Sequence, residues 1–476
     1  MKIKLTGHDY RYEVFQIVSL FFEKNQIEFC EKSPDLESIL DLERGVVIAR
    51  LNDEEEKIVL NTEEKKVIKN SIKKSILTVL EKHTGIKMPW GILVGIRPTK
   101  IVHETIKNGL NEDEILNSLV EDYMLSIEKA NLTLEVAKNE SKFLDVDEKS
   151  VGIYIGIPFC PTRCAYCSFT SNPYKGNEGL VEEFLEALLK EVNSVLGYIK
   201  NNGFTIDTFY IGGGTPTSLN DIQLDRLLGT VSDYVELNKL REFTVEAGRP
   251  DSIDVNKLKV FKKYECGRIS INPQTMNEET LSVIGRRHSA LDIKEKFTLA
   301  RELGFENINM DIIIGLPGED EYSIERTMDE IEKLNPDSIT IHTMAIKRAS
   351  VLNEKMFRGD RDLANRMYSL AVRRVRKMGM KPYYMYRQKN MVSPLENIGY
   401  SVEGKECIYN IQMIAENKTI IALGADAITK IVYPKENRIE RVANLKDVRE
   451  YVKRIDEQIQ EKILELDKLL SNIELK

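Results

Sequence analysis

Residues 154–171 read YIGIPFCPTRCAYCSFTS and bring three of the chain's six cysteines, Cys160, Cys164 and Cys167, within eight positions. An apolar, β-branched run leads straight into them. The N-terminus, MKIKLTGHDYRYEVF, has no apolar core of signal-peptide length, and no segment reaches the roughly 18 uninterrupted apolar residues of a membrane span. A cytoplasmic location is therefore expected, and in that reducing compartment clustered cysteines are ligands or catalysts rather than a disulfide framework. Cys30, Cys266 and Cys407 are scattered and read as buried free thiols. A structural zinc site needs four ligands, and the candidate histidines, His103 and His288, are distant in sequence. A 4Fe-4S cluster on three thiolates fits better. It leaves one iron free to take the amino and carboxylate groups of a small molecule.

Working outward, residues 151 to about 390 repeat one unit: an apolar run, a short Gly/Pro or polar loop, then an amphipathic helix. The runs are VGIYIGIPF, IDTFYIGGG, EFTVEAG, RISINPQ, NINMDIIIGLPG and DSITIHTMA. Their continuous apolarity suits strands covered on both faces, with right-handed helical crossovers between them. Six units predict an α/β fold, an incomplete (β/α)6 barrel whose chemistry gathers at the C-terminal strand ends. The expected domains are an N-terminal α+β domain of unknown role over residues 1–148, the partial barrel over 149–390 and a C-terminal α+β extension over 391–476. At 476 residues the chain is long enough for several units. Its 68 basic and 76 acidic residues are well mixed, for a net charge of −8, which argues against nucleic acid as a partner. The Glu-, Lys- and Leu-rich final helix reads as ordinary packing with a solvated outer face. Around Trp90, MPWGILVGIRPTK with Arg97 and Lys100 reads as a structured interdomain loop.

The CxxxCxYC pattern preceded by YIGIPF resembles the radical S-adenosylmethionine (SAM) superfamily. It is most similar to the branch holding oxygen-independent coproporphyrinogen III oxidase, the HemW-type heme chaperones and the HemZ proteins. The resemblance covers about residues 150–430, and the length, the extra N-terminal unit and MPWGILVGIRPTKIV are closest to the HemZ group. It implies that Cys160, Cys164 and Cys167 hold a 4Fe-4S cluster whose open iron chelates SAM, and that a transferred electron releases a 5′-deoxyadenosyl radical.

By the same resemblance Tyr154 lies against SAM, and Tyr166 covers the adenine or a second cofactor molecule. Gly213, Gly214 and Thr215 of GGGTPT, Glu246 of FTVEAGRP and Ile428 of LGADAITK contact the first SAM. Gln274, Arg286, Asp311 and Ala345 match positions lining a second nucleoside site. Residue chemistry agrees in part: glycines let backbone approach a ligand, an aspartate at a strand end can accept from ribose hydroxyls, and an arginine can grip a carboxylate as a fork. Each residue also has an ordinary explanation, namely a core aromatic, a strand-end bond, a surface ion pair for Arg286 or a core isoleucine. His288 and His342 read as satisfied polar residues.

The oxidase pattern has a fourth cysteine where this chain has Phe169. Three readings follow from the resemblance. One is oxidative decarboxylation of the propionates of coproporphyrinogen III to vinyl groups, with an electron donor such as flavodoxin or ferredoxin and an unknown acceptor. The second is a heme-binding chaperone, and the third a radical SAM methyltransferase. Arg373, Arg374 and Arg376 could meet propionates, but a solvated helix face is the simpler reading.

Overall fold

The computed structural model describes residues 1–145, 147–167, 171–346, 350, 352, 357 and 359–474. Phe169 lies outside them. Two compact units are present, Met1–Lys138 and Asn139–Lys476.

In the first unit, β1 (Lys2–Thr6), β2 (Glu28–Phe29), β3 (Leu36–Asp41), β4 (Val46–Leu51) and β5 (Glu54–Val59) form one sheet in the order β2-β1-β3-β4-β5. In β3 buried and half-buried residues alternate, as a strand with one face on the core requires. The covering helix, Lys65–Thr84, buries Ile68, Ile72, Ile76 and Leu80 at helical spacing against Ile3, Leu36 and Val47. Trp90 is buried with Lys129 over its ring. Cys30, read from sequence as buried, is half-buried, because it follows the two-residue β2 at the sheet edge.

The second unit carries the expected partial barrel. β6 (Ser150–Ile157) ends just before the short β7 (Phe159–Cys160), which pairs with β8 (Asn172–Pro173). β6, β9 (Thr205–Gly213), β10 (Glu242–Val245), β11 (Arg268–Ser270), β12 (Ile308–Ile314) and β13 (Ser338–Thr343) pair in parallel, each with the next in sequence. These are the six apolar runs. Five helices of this unit begin on side chains that accept an orphan N–H: Asn220 from Gln223, Asp254 from Lys257, Ser289 from Asp292, Asp320 from Ser323 and Asp360 from Leu363. Each such cap stabilises its helix by about 1 kcal/mol.

The chain beyond the barrel extends both edges of this sheet. β14 (Lys381–Tyr386) and β15 (Asn397–Ser401) add antiparallel beside β13. β16 (Ile420–Leu423) pairs in parallel with β6, and β17 (Ile428–Tyr433) and β18 (Arg438–Ala443) continue from it. The C-terminal helix Ile455–Glu474 is more than a solvated amphipath, because its Lys462 is 0% exposed against an equally buried Glu191. Glu191 also accepts from Gly424 N (2.8 Å), Tyr451 OH (2.6 Å) and Asn444 Nδ2 (2.8 Å), and Lys462 donates to Ala422 O. Arg374 is paired with Asp329 and Glu332 on the neighbouring helix Glu321–Leu334, in keeping with a solvated helix face.

Candidate functional site

The cysteine loop opens at the C-terminal end of β6. Cys160 and Cys164 are buried and Cys167 is half-buried. The loop turns through Cys167 N to Cys164 O (3.0 Å) and is tied down by Ala165 N to Ile284 O (2.9 Å) and Thr162 Oγ1 to Gly285 O (3.1 Å). Burial pushes the Cys160 thiol up to about 12; nearby Arg249 opposes this, while Cys164 and Cys167 add to it. Left alone, this thiol stays protonated, so ionisation as a ligand requires a metal to supply the compensating charge. Among the described residues no three His, Cys, Asp or Glu side chains close round a single ion. A four-iron cluster takes each thiolate on a different iron, and so suits a loop that spreads its sulfurs.

Gly214 makes the cradle. A Cβ there would stand 2.4 Å from Phe159 O and 3.0 Å from Cys160 Sγ, so only glycine lets this backbone lie on the first cysteine. Gly213, at φ +104°, makes the bend. The N–H groups of Gly214 and Thr215 donate to Ile157 O (2.7 Å) and Phe159 O (2.8 Å), so they hold the cysteine loop rather than offering themselves to a ligand. Thr215 is buried with its hydroxyl 3.0 Å from that of Thr217. The donor set and this cradle fit a cluster on three thiolates.

Glu246 follows β10 and takes a hydrogen bond from Tyr210 OH (3.2 Å). Burial, with the Asp311 charge adding, pushes its carboxyl up to about 8, so it is poised to ionise when a cation arrives. Gly212 leaves the room for it, since a Cβ there would lie 2.7 Å from Glu246 Oε2. Tyr154 stacks with Tyr210 (6.2 Å) and Tyr409 (6.1 Å), and those two stack at 4.5 Å, walling the site with aromatic surface.

Arg286 is a buried cation rather than part of a surface ion pair. It donates to Gly248 O (3.1 Å), Asn272 O (2.8 Å) and Tyr166 OH (3.1 Å), and its Nε has no partner. Asp311 accepts from Asn272 Nδ2 (2.8 Å) and Asn309 Nδ2 (2.7 Å), and His342 Nε2 lies 3.6 Å away. Burial acts to raise its carboxyl, but His342, with Asn309 and Thr340, outweighs it and holds Asp311 below the usual carboxylate range. Gln274 takes a left-handed φ of +65°, rare for a non-glycine residue, with its N–H on Asp311 O (2.9 Å). His288 is buried with neither ring nitrogen bonded, and burial together with Arg286 pushes it down to about 3, so it is neutral. Ala345 is buried after β13 and bridges Met391. Ile428 begins β17 at 45% exposure, beside Ala427, whose Cβ faces Gly156 of β6.

The structure thus joins Cys160 to Gly214, Tyr154 to Glu246 through Tyr210, Arg286 to Tyr166, and Gln274 to Asp311. The sequence reading passes over Tyr210, Asn272, Tyr409 and Arg249. Tyr210 and Asn272 stand two residues before Gly212 and Gln274, the period that puts side chains on one face of an extended chain. Tyr409 has no such signal. A cleft of about 580 Å³ beside the loop is lined by Thr162, Arg163, Gly285, Arg286 and His288. A larger one, about 820 Å³, lies at the opposite strand ends by Glu242 and Arg268, away from the cysteines.

Residues 154–331 match the family described as the Radical SAM superfamily. The chain is 41% identical over 402 residues, 83% of its length and 80% of the relative's, to the oxygen-independent coproporphyrinogen-III oxidase-like protein HemZ of Bacillus subtilis. It is 33% identical to the heme chaperone HemW of the same organism over 236 residues, 48% of this chain and 61% of that one. Among solved structures, coproporphyrinogen III oxidase (HemN) from Escherichia coli shares the fold at 20% identity and TM-score 0.53, over 67% of this chain and 72% of that one. No described helix is long and apolar enough to cross a membrane.

Proposed function

We infer the function from one premise: this chain belongs to the radical SAM superfamily, in the group that contains HemZ, and that membership implies a 4Fe-4S cluster and SAM. The reading we favour is oxygen-independent oxidative decarboxylation of coproporphyrinogen III propionates to vinyl groups. One observation carries it: the likeness to a coproporphyrinogen-III oxidase-like protein spans 83% of the chain, whereas the likeness to a heme chaperone spans 48%.

Cys160, Cys164 and Cys167 would hold the cluster. When bound, it supplies the electron that splits SAM, so that a hydrogen atom leaves the propionate, carbon dioxide follows and one electron passes to an acceptor. Glu246 and the carbonyls around Gly213 and Gly214 would receive the cationic and polar parts of SAM, with Thr215 beneath and Ile428 at the rim. The stack of Tyr154, Tyr210 and Tyr409 keeps water from the reacting carbon. Arg286, with its spare N–H, would grip a carboxylate, while Tyr166, Gln274, Asp311 and Ala345 complete a second nucleoside pocket. The electron donor is a low-potential protein of the flavodoxin or ferredoxin kind.

The test is an anaerobic assay of reconstituted protein with coproporphyrinogen III, SAM and a reductant. Protoporphyrinogen with 5′-deoxyadenosine and methionine is the expected outcome. Tight heme binding with no turnover would replace this reading by a chaperone, and a methylated product with S-adenosylhomocysteine by a methyltransferase.

A further inference from the structure

Arg249 lies three residues beyond Glu246, between the end of β10 and the cysteine loop, and is 3% exposed. Its guanidinium is fully engaged. Nε and Nη2 form a fork on Asp251 (3.0 and 2.8 Å), Nη2 also donates to Thr162 Oγ1 (2.9 Å), and Nη1 donates to Thr162 O (3.0 Å) and to Cys164 Sγ (3.4 Å). The edge bearing Nε and Nη2 faces the carboxylate, which leaves Nη1 for the sulfur. Burial works against the charge, but Asp251 holds the guanidinium protonated. Arginine keeps its charge across the accessible pH range, so it is a fixed element of the site.

A neutral donor could have tied Thr162 to β10. A buried cation is costly, and this one is aimed at a cysteine sulfur. Adding an electron to a cluster increases the negative charge on its thiolates, and a charge-assisted N–H···S bond in a low-dielectric setting strengthens as that charge grows. Hydrogen bonds to the sulfurs and local charge are among the terms that set a cluster's potential.

We propose that Arg249 is a tuning residue that raises the reduction potential of the cluster through Cys164, with Asp251 fixing its orientation and moderating its charge. One electron enters from a low-potential donor, and no protein bond is made or broken. The proposal rests on the cluster reading above, but not on the identity of the substrate.

The test is an EPR-monitored redox titration of anaerobically reconstituted full-length protein without SAM or substrate, with iron content measured in parallel. Arg249→Met with full iron is expected to shift the reduction equilibrium against the reduced state by about tenfold, about 59 mV for one electron. Arg249→Lys should recover part of that shift. Asp251→Asn, which removes a negative charge and keeps the guanidinium, should move the midpoint the opposite way. Unchanged midpoints in Arg249→Met and Asp251→Asn overturn the proposal. If Arg249→Met loses iron or does not fold, Asp251→Asn decides alone, and a midpoint equal to wild type overturns it. A wild-type protein that takes up no iron would instead refute the cluster reading itself.

Discussion

Two buried charge clusters of the second unit differ in how completely they are bonded. Behind the barrel, Glu191 receives four donors and Lys462 reaches both Glu191 and Ala422 O, with no orphaned polar atom between them. At the mouth, Arg286 Nε and both nitrogens of His288 are buried without partners, Glu246 sits near 8, and Gln274 takes a left-handed backbone. Burial is similar in the two places. A saturated cluster is complete as folded; an unsaturated one holds bonding capacity and strain that a ligand can use.

The largest expected effect tests the saturated side. Lys462→Met strands the Glu191 carboxylate, and chemical denaturation should read a loss of about 3–5 kcal/mol. The double variant Glu191→Gln with Lys462→Met should recover much of it, and a single variant as stable as wild type would dissolve the contrast. At the mouth, Arg286→Lys keeps the charge and loses the spare Nε–H. SAM binding by equilibrium dialysis should weaken about tenfold or more, in line with about 1.5–3 kcal/mol for charged hydrogen bonds. Its melting temperature should move far less than that of Lys462→Met.

A subtler prediction concerns pH. Glu246 binds its proton more tightly folded than unfolded, so its contribution to stability is fully present below the ordinary carboxylate range and is lost as pH rises from about 4.5 toward about 8. The melting temperature of ligand-free protein should fall across that window, and Glu246→Gln should flatten the fall. Smallest of all, Gln274→Gly relieves the positive φ and should stabilise the ligand-free chain by up to about 1 kcal/mol while weakening nucleoside binding. No gain in stability would mean that the backbone there carries no strain.

The six barrel strands were legible because each is a continuous apolar run, and the cysteine loop because its spacing is local. What the sequence withheld depends on distant pairing. β16 lies beside β6 through Ile420 and Gly152, and nothing in KTIIAL announces that neighbour. The final helix reads as ordinary packing with a solvated outer face, and helical spacing cannot reveal that its Lys462 meets Glu191 on the buried side. Arg249 carries no motif of its own in the sequence, and its meaning comes from the sulfur 3.4 Å away. By contrast, a two-residue period from Gly212 and Gln274 would have found Tyr210 and Asn272.

The pairing of β16 with β6, locked by Glu191 and Lys462, also orders events during synthesis. The strand that carries the cysteine loop leaves the ribosome roughly three hundred residues before the helix that closes the cluster behind it. A nascent chain therefore holds β6 as an open sheet edge until β16 is made.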